Sequence, residues 1–207
     1  MADFNNNQRG TECPEEKLEL LDGNETFSLH GRKLGFKVID YWRFQYSNLI
    51  DNLGYLAEFL VAKALYKDEP DNCVGWTLYD LNYREKRIEV KSTSYYQTWK
   101  KDHKITEQRN FSIKKTYVDL GNSDVKERQN DIYVFCVDEG WDKRSSNPLY
   151  LENWTFYVVP TSIINDLCDN QDSITLSRLE KIEKYGRGLK YDKIKENVDN
   201  IIDNILK

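Results

Sequence analysis

Three acids and a lysine stand at spacings that could hold a divalent cation: Glu58, Asp80, Glu89 and Lys91. The run from Ile88 to Ser94 opens with alternating apolar residues, so Glu89 and Lys91 fall together on the opposite face of a strand. The run before it, "GWTLYDLNY", forms the other arm of a hairpin, joined through polar residues around Arg84 and Glu85. A two-residue loop at Arg84-Glu85 and a four-residue loop from Tyr83 to Lys86 give the same pairing, which sets Asp80 opposite Glu89 on one face. Two carboxylates facing each other at about 5 Å between Cβ atoms repel. Lys91 supplies one compensating charge and a divalent cation would supply the rest. Magnesium favours such hard oxygen ligands, with water and a substrate phosphate completing its octahedron. For any single Glu-x-Lys the plain alternative is a solvated sheet face with an ion pair worth only tenths of a kcal/mol.

The elements that must position these residues are legible to different degrees. In "NLGYLAEFLVAKAL" the apolar residues Leu53, Leu56, Ala57, Leu60, Val61, Ala64 and Leu65 recur with helical period, and Pro70 follows as a stop. At about 100° per residue Glu58 falls at the edge of that stripe, beside Val61 and Leu65. "NFSIKK" predicts a further strand, and "DIYVFCV" and "WTFYVVP" predict strands covered on both faces. From Phe27 to Tyr46 the pattern does not separate strand from helix. The C-terminal part is helical: Ser177 and Glu180 make a capping-box pattern, and Ile194, Val198, Ile201, Ile202 and Ile205 line one face of a last helix beyond the Gly186 to Gly188 turn. The expected organisation is a polar, Asn-rich frayed tail over 1–16 and one domain over 17–207, with a helical extension from about 161 to the end.

The 207 residues are 31% charged and 13% aromatic, a globular profile, and the net charge is −5. That balance does not itself advertise a nucleic-acid partner, so such a site needs a local basic region or a bound cation. Segment 95–117 offers one: Tyr95, Tyr96, Trp99 and Phe111 interleave with Lys100, Lys101, Lys104, Arg109, Lys114 and Lys115. This suits a nucleic-acid groove, and equally a solvated loop. Ser92 and Gln97 are candidates for phosphate contact or for support of the acidic cluster; plainly, they are polar residues near a strand end. Arg128 could reach a phosphate or form a surface ion pair. Cys13, Cys73, Cys136 and Cys168 make no CxxC pair, and the N-terminus shows no secretory pattern, so a bacterial-type cytoplasmic protein without a membrane span is expected. His30 and His103 form no recognisable triad spacing, and no glycine-rich phosphate loop is present.

Asp80, eight residues, then Glu89-Val90-Lys91, after a helix with Glu58, resembles the PD-(D/E)XK restriction-endonuclease-like nucleases. Tyr79 stands where the motif's name has proline. "YWRFQYSNLIDNLGYLAEFLVAKAL", "YDLNY", "IEVKSTSYYQTW" and "DIYVFCV" together are similar to a group of bacterial restriction-like proteins, over nearly the whole chain after about residue 35. The resemblance implies an α/β fold: a restriction-endonuclease-like αβββαβ core over roughly 48–160, with a central mixed sheet flanked by helices, plus C-terminal helices. It implies a metal-dependent endonuclease that hydrolyses phosphodiester bonds through metal-activated water, on DNA before RNA. Asp80, Glu89 and the Val90 carbonyl would bind Mg²⁺, or Mn²⁺ in its place. Glu58 would hold the ion through water or bind a second one, and Lys91 would orient or deprotonate the attacking water and stabilise charge on the phosphorane. Ser92, Tyr95, Gln97, Trp99, Lys100, Lys101, Lys114 and Lys115 make up the expected nucleic-acid contact set. The rivals are a non-catalytic nucleic-acid-binding or assembly module on the same fold and an RNA-cleaving enzyme. A homodimer is compatible with the family, although no interface is marked.

Overall fold

The computed structural model describes residues 21–66, 78–96, 109–117, 125–140 and 147–206. The chain divides into two compact units, Met1–Ser47 and Asn48–Lys207. Described parts of the first are a hairpin, β1 (Thr26–Leu29) and β2 (Arg32–Lys37), and helix α1 (Val38–Tyr46). The hairpin turns through His30 and Gly31, both at positive φ (48° and 78°). Asp40 accepts the Lys37 backbone N–H at 2.8 Å and so satisfies one of the donors left open at the start of α1.

The second unit holds α2 (Leu53–Leu65), β3 (Leu81–Tyr83), β4 (Lys86–Ser94), β5 (Asn110–Ser112), β6 (Thr116–Tyr117), β7 (Lys126–Glu127), β8 (Ile132–Asp138), β9 (Trp154–Pro160), α3 (Thr161–Cys168), β10 (Ser173–Thr175), α4 (Leu176–Leu179) and α5 (Ile194–Asn204). Its centre is a four-stranded mixed sheet in the order β3-β4-β8-β9. β3 runs antiparallel to β4, β8 parallel to β4, and β9 antiparallel to β8. Every residue of β8 and β9 is buried, as their mainly apolar runs require of strands covered on both faces.

Alternation along the strands divides the core in two. Ile88, Val90, Ile132, Val134, Phe156 and Val158 meet α2 and α5 on one face. Tyr133, Phe135, Val137, Tyr157 and Val159 meet Phe111, Ile113, Ile164, Ile174 and Leu179 on the other. Phe111, expected among the groove aromatics, is 1% exposed. Complete burial of a phenylalanine side chain is worth about 1.5–3 kcal/mol, more than a single exposed stacking position offers a free chain.

The hairpin closes through Arg84 and Glu85, at φ 51° and 63°. Positive φ at both loop positions is the twist-matched two-residue turn, reached here without Asn-Gly. The turn is tied down by Arg84, whose guanidinium donates to Asp199 at 2.9 Å and Asp203 at 2.6 Å on α5. Two C-terminal expectations are corrected. Thr175, not Ser177, caps α4, with its side chain accepting from the Arg178 N–H. Ile205 follows the last helical residue and is 38% exposed, so the buried stripe of α5 ends at Ile202. Among the described residues no helix is long and apolar enough to cross a membrane.

Candidate functional site

Leu81 pairs with Ile88, so the register carries Asp80 alongside Glu89, one step beyond the end of β3. There the chain leaves ladder geometry. The Asp80 N–H donates to the Ile88 carbonyl at 3.0 Å, and the Asp80 carboxylate accepts the Val90 N–H at 2.7 Å through Oδ2. The carboxylate therefore occupies the edge of β4 where a strand carbonyl would otherwise pair, rather than standing on the sheet face. Because the N–H and C=O of a strand residue point to the same side, the Val90 carbonyl is directed to this edge as well.

Glu89 and Lys91 lie on the face away from Ile88 and Val90, and their side chains form an ion pair through Glu89 Oε1. In the parallel register Glu89 aligns with Tyr133 and Lys91 with Phe135. Those two rings stack with centroids 5.2 Å apart and planes 9° from parallel. They form an apolar wall beside the charged pair, which leaves the Glu89 side chain only 19% exposed. Tyr133 was hidden from sequence reasoning inside an apolar run, and only the parallel pairing of β4 with β8 reveals it as the neighbour of Glu89.

The electrostatics follow from this placement. Burial pushes the Asp80 carboxyl above its ordinary value, while the Val90 N–H and the Lys91 charge pull the other way. Burial also raises Glu89; Lys91 opposes the rise by its charge and hydrogen bond, and the Asp80 charge adds to it. Two carboxyls that resist ionisation at one strand edge form a place where an added cation is stabilising.

The donor chemistry suits a hard divalent ion. Asp80 keeps Oδ1 and Glu89 keeps Oε2 beyond the bonds described, and the Val90 carbonyl adds a third oxygen. Glu58 stands on α2, which packs on the Ile88 and Val90 face of the sheet. Among the described residues no three of His, Cys, Asp or Glu form a group that could hold a metal ion.

Ser92 alternates onto the face of Ile88 and Val90, away from Glu89 and Lys91, and is half-buried. Tyr95 is covered by the Arg109 guanidinium, 3.6 Å from its ring centroid. Lys115 pairs with Asp169 at 2.6 Å, and Lys114 is exposed. Gln97, Trp99, Lys100 and Lys101 lie outside the described residues. Arg128 is neither a phosphate contact nor a surface ion pair. It is 7% exposed and donates to the carbonyls of Ile113, Cys168 and Gln171 and to the Asn165 side chain, at 2.7–2.9 Å.

No family model matches the chain, and no match is found among curated proteins.

Proposed function

We propose that the chain is a Mg²⁺-dependent nuclease of the restriction-endonuclease-like kind, hydrolysing phosphodiester bonds of nucleic acid, with DNA the first substrate to test. The observation that carries this is the Asp80 carboxylate fixed on the Val90 amide next to the Glu89–Lys91 pair, at the edge where β3 ends. The chain order is in keeping with it: helix α2, the β3–β4 hairpin and, after the short strands β5, β6 and β7, β8 running parallel to β4.

Asp80, Glu89 and the Val90 carbonyl are the residues that would hold Mg²⁺. When bound, the ion supplies Lewis-acid charge that polarises a phosphate oxygen and acidifies water. Asp80 is kept at the edge by its bond to Val90, so one oxygen orients the group and the other is left to bind. The Lys91 charge acts on Asp80, and Lys91 would hold water or a non-bridging phosphate oxygen and stabilise the extra negative charge of the transition state. The Tyr133–Phe135 wall keeps bulk water from one side of Glu89, which strengthens these charge interactions. Cys136 and Cys168 are buried free thiols, which suits a cytoplasmic setting.

The test is incubation of the purified full chain with duplex DNA, single-stranded DNA and RNA, in Mg²⁺ or Mn²⁺ and in EDTA. Cation-dependent cleavage of at least one substrate is expected. Binding without cleavage in any cation would move the chain to the non-catalytic binding module.

A further inference from the structure

A groove of about 810 Å³ lies between the segment 184–190 and α5, with Val158 of β9 and Ile201 among the residues that line it. The segment that forms its rim is held firmly. Leu189 exchanges both backbone hydrogen bonds with Phe156, at 2.8 and 2.9 Å. The Gly186 N–H donates to the Ile182 carbonyl at 2.6 Å. A Cβ at Gly186 would collide with the Glu180 carbonyl, and one at Gly188 with the Thr155 side chain, so both glycines are required by close approach. Lys184 begins the turn at φ 71°, a backbone region that lysine adopts only at a cost. Between the two clamped glycines stands Arg187, exposed and without a partner among the described residues.

The charges around the groove are unequal. Lys184, Arg187, Lys190 and Lys193 face Asp192 and Glu196, in a chain of net charge −5. Lys193 is occupied by Glu196 at 3.0 Å, and Lys190 by the carbonyls of Glu152 and Trp154 at 2.9 and 3.1 Å. Lys184 lies over the Tyr185 ring, 5.3 Å from its centroid, with its charge still open to solvent; Arg187, on a clamped backbone, is left to meet an anion, and a guanidinium matches a phosphate with two parallel hydrogen bonds.

The opposite wall is made of asparagines. Asn197, Asn200 and Asn204 line the groove from α5, although asparagine is among the weaker helix formers. Asn197 and Asn204 each return one amide hydrogen to a backbone carbonyl of their own helix. Each keeps a second hydrogen and an acceptor oxygen for a polar ligand. From Lys193 to Asn204 the wall runs about 17 Å at 1.5 Å per residue, longer than a single phosphate needs.

We infer that this groove binds the sugar–phosphate backbone of a nucleic-acid strand, with Arg187 as its anchor and Lys184 beside it. The inference rests on the nucleic-acid reading proposed above but not on the acidic site. The two sites use opposite edges of one sheet, β9 here and β3 there, about 14 Å apart at three strand spacings.

The test is binding of labelled single-stranded and duplex oligonucleotides to the full chain in EDTA, over a salt series. The variants are Lys184→Ala/Arg187→Ala, Arg187→Lys, and Lys63→Ala/Lys126→Ala as an exposed control. The first is expected to weaken binding about tenfold near 0.1 M salt and to flatten the slope of log K against log salt by about 1 to 2, as lost phosphate contacts do. Arg187→Lys should keep the slope and lose part of the affinity, and the control should match the parent. An unchanged slope in the first variant overturns the inference, as does a parent that binds no oligonucleotide. Arg187-dependent binding by a parent that never cleaves leaves this site standing and removes the hydrolytic proposal. Cleavage with an Arg187-independent slope does the reverse.

Discussion

The Asp80 carboxylate takes the place of a strand carbonyl against the backbone N–H of Val90, 2.7 Å away. One hydrogen bond thereby sets the position of an acid at the sheet edge that also presents the Val90 carbonyl and adjoins Glu89.

Asp80→Asn should keep that hydrogen bond, since a carboxamide oxygen accepts as well, while removing the charge. Burial raises both Asp80 and Glu89 from their ordinary values of 3.8 and 4.5. Raised carboxyls contribute stability that is complete below those values and is lost as pH rises through the folded-state values. The metal-free parent should therefore lose stability from this pair on going from acid to neutral pH, and the variant should lose less. At pH 7 the variant is expected to melt about 1–3 °C higher without Mg²⁺, an effect of up to about 1 kcal/mol. It should also bind Mg²⁺ more weakly than the parent by calorimetry.

Asp131 carries the opposite sign. Burial raises its carboxyl, but the side chain and backbone N–H of Arg87 more than offset that, and the net shift is down from 3.8. The contribution of this pair is present above that ordinary value and is lost as pH falls through the lower folded-state value. The Arg87 guanidinium grips both Asp131 oxygens, at 3.0 and 3.1 Å, and ties β4 to the start of β8. Both groups are partly exposed, so Asp131→Asn is expected to lower stability by only about 1 kcal/mol at pH 7. Denaturant melts at pH 7 and pH 3 should show the difference between parent and variant shrinking in acid.

Arg128→Ala should be among the most destabilising single changes in the second unit. It strips hydrogen bonds from three carbonyls and Asn165 in a buried setting, for an expected loss of about 3 kcal/mol or more. Arg128→Lys recovers little of it, since a single ammonium cannot reproduce a fork that serves several acceptors. Urea unfolding of both variants checks this.

What the sequence made legible follows the strength of local periodicity. α2 spans Leu53–Leu65, as its i, i+3, i+4 apolar stripe predicts, and β8 and β9 sit where short, mainly apolar runs place them. The β3–β4 register was readable because the two-residue and four-residue loops give the same pairing. What depended on nonlocal packing was hidden. The face of the sheet on which α2 lands is set by the core as a whole. Arg128 looks like a surface cation until carbonyls from 113, 168 and 171 converge on it. Phe111 follows a basic run in sequence, yet the pairing of β5 with β10 carries it into the core. Thr175 and Ser177 are both competent caps, and the strand ending at Thr175 decides between them.

The central claim is that Asp80, Glu89, the Val90 carbonyl and Lys91 form a cation-dependent hydrolytic site. It is tested most directly by the cleavage rate of the parent and of Lys91→Ala on the same substrate in Mg²⁺, with melting curves showing both folded. The expected result is a parent that cleaves only with the divalent cation and a variant slowed by about 10² to 10³. A variant that cleaves at the parent's rate would contradict the claim.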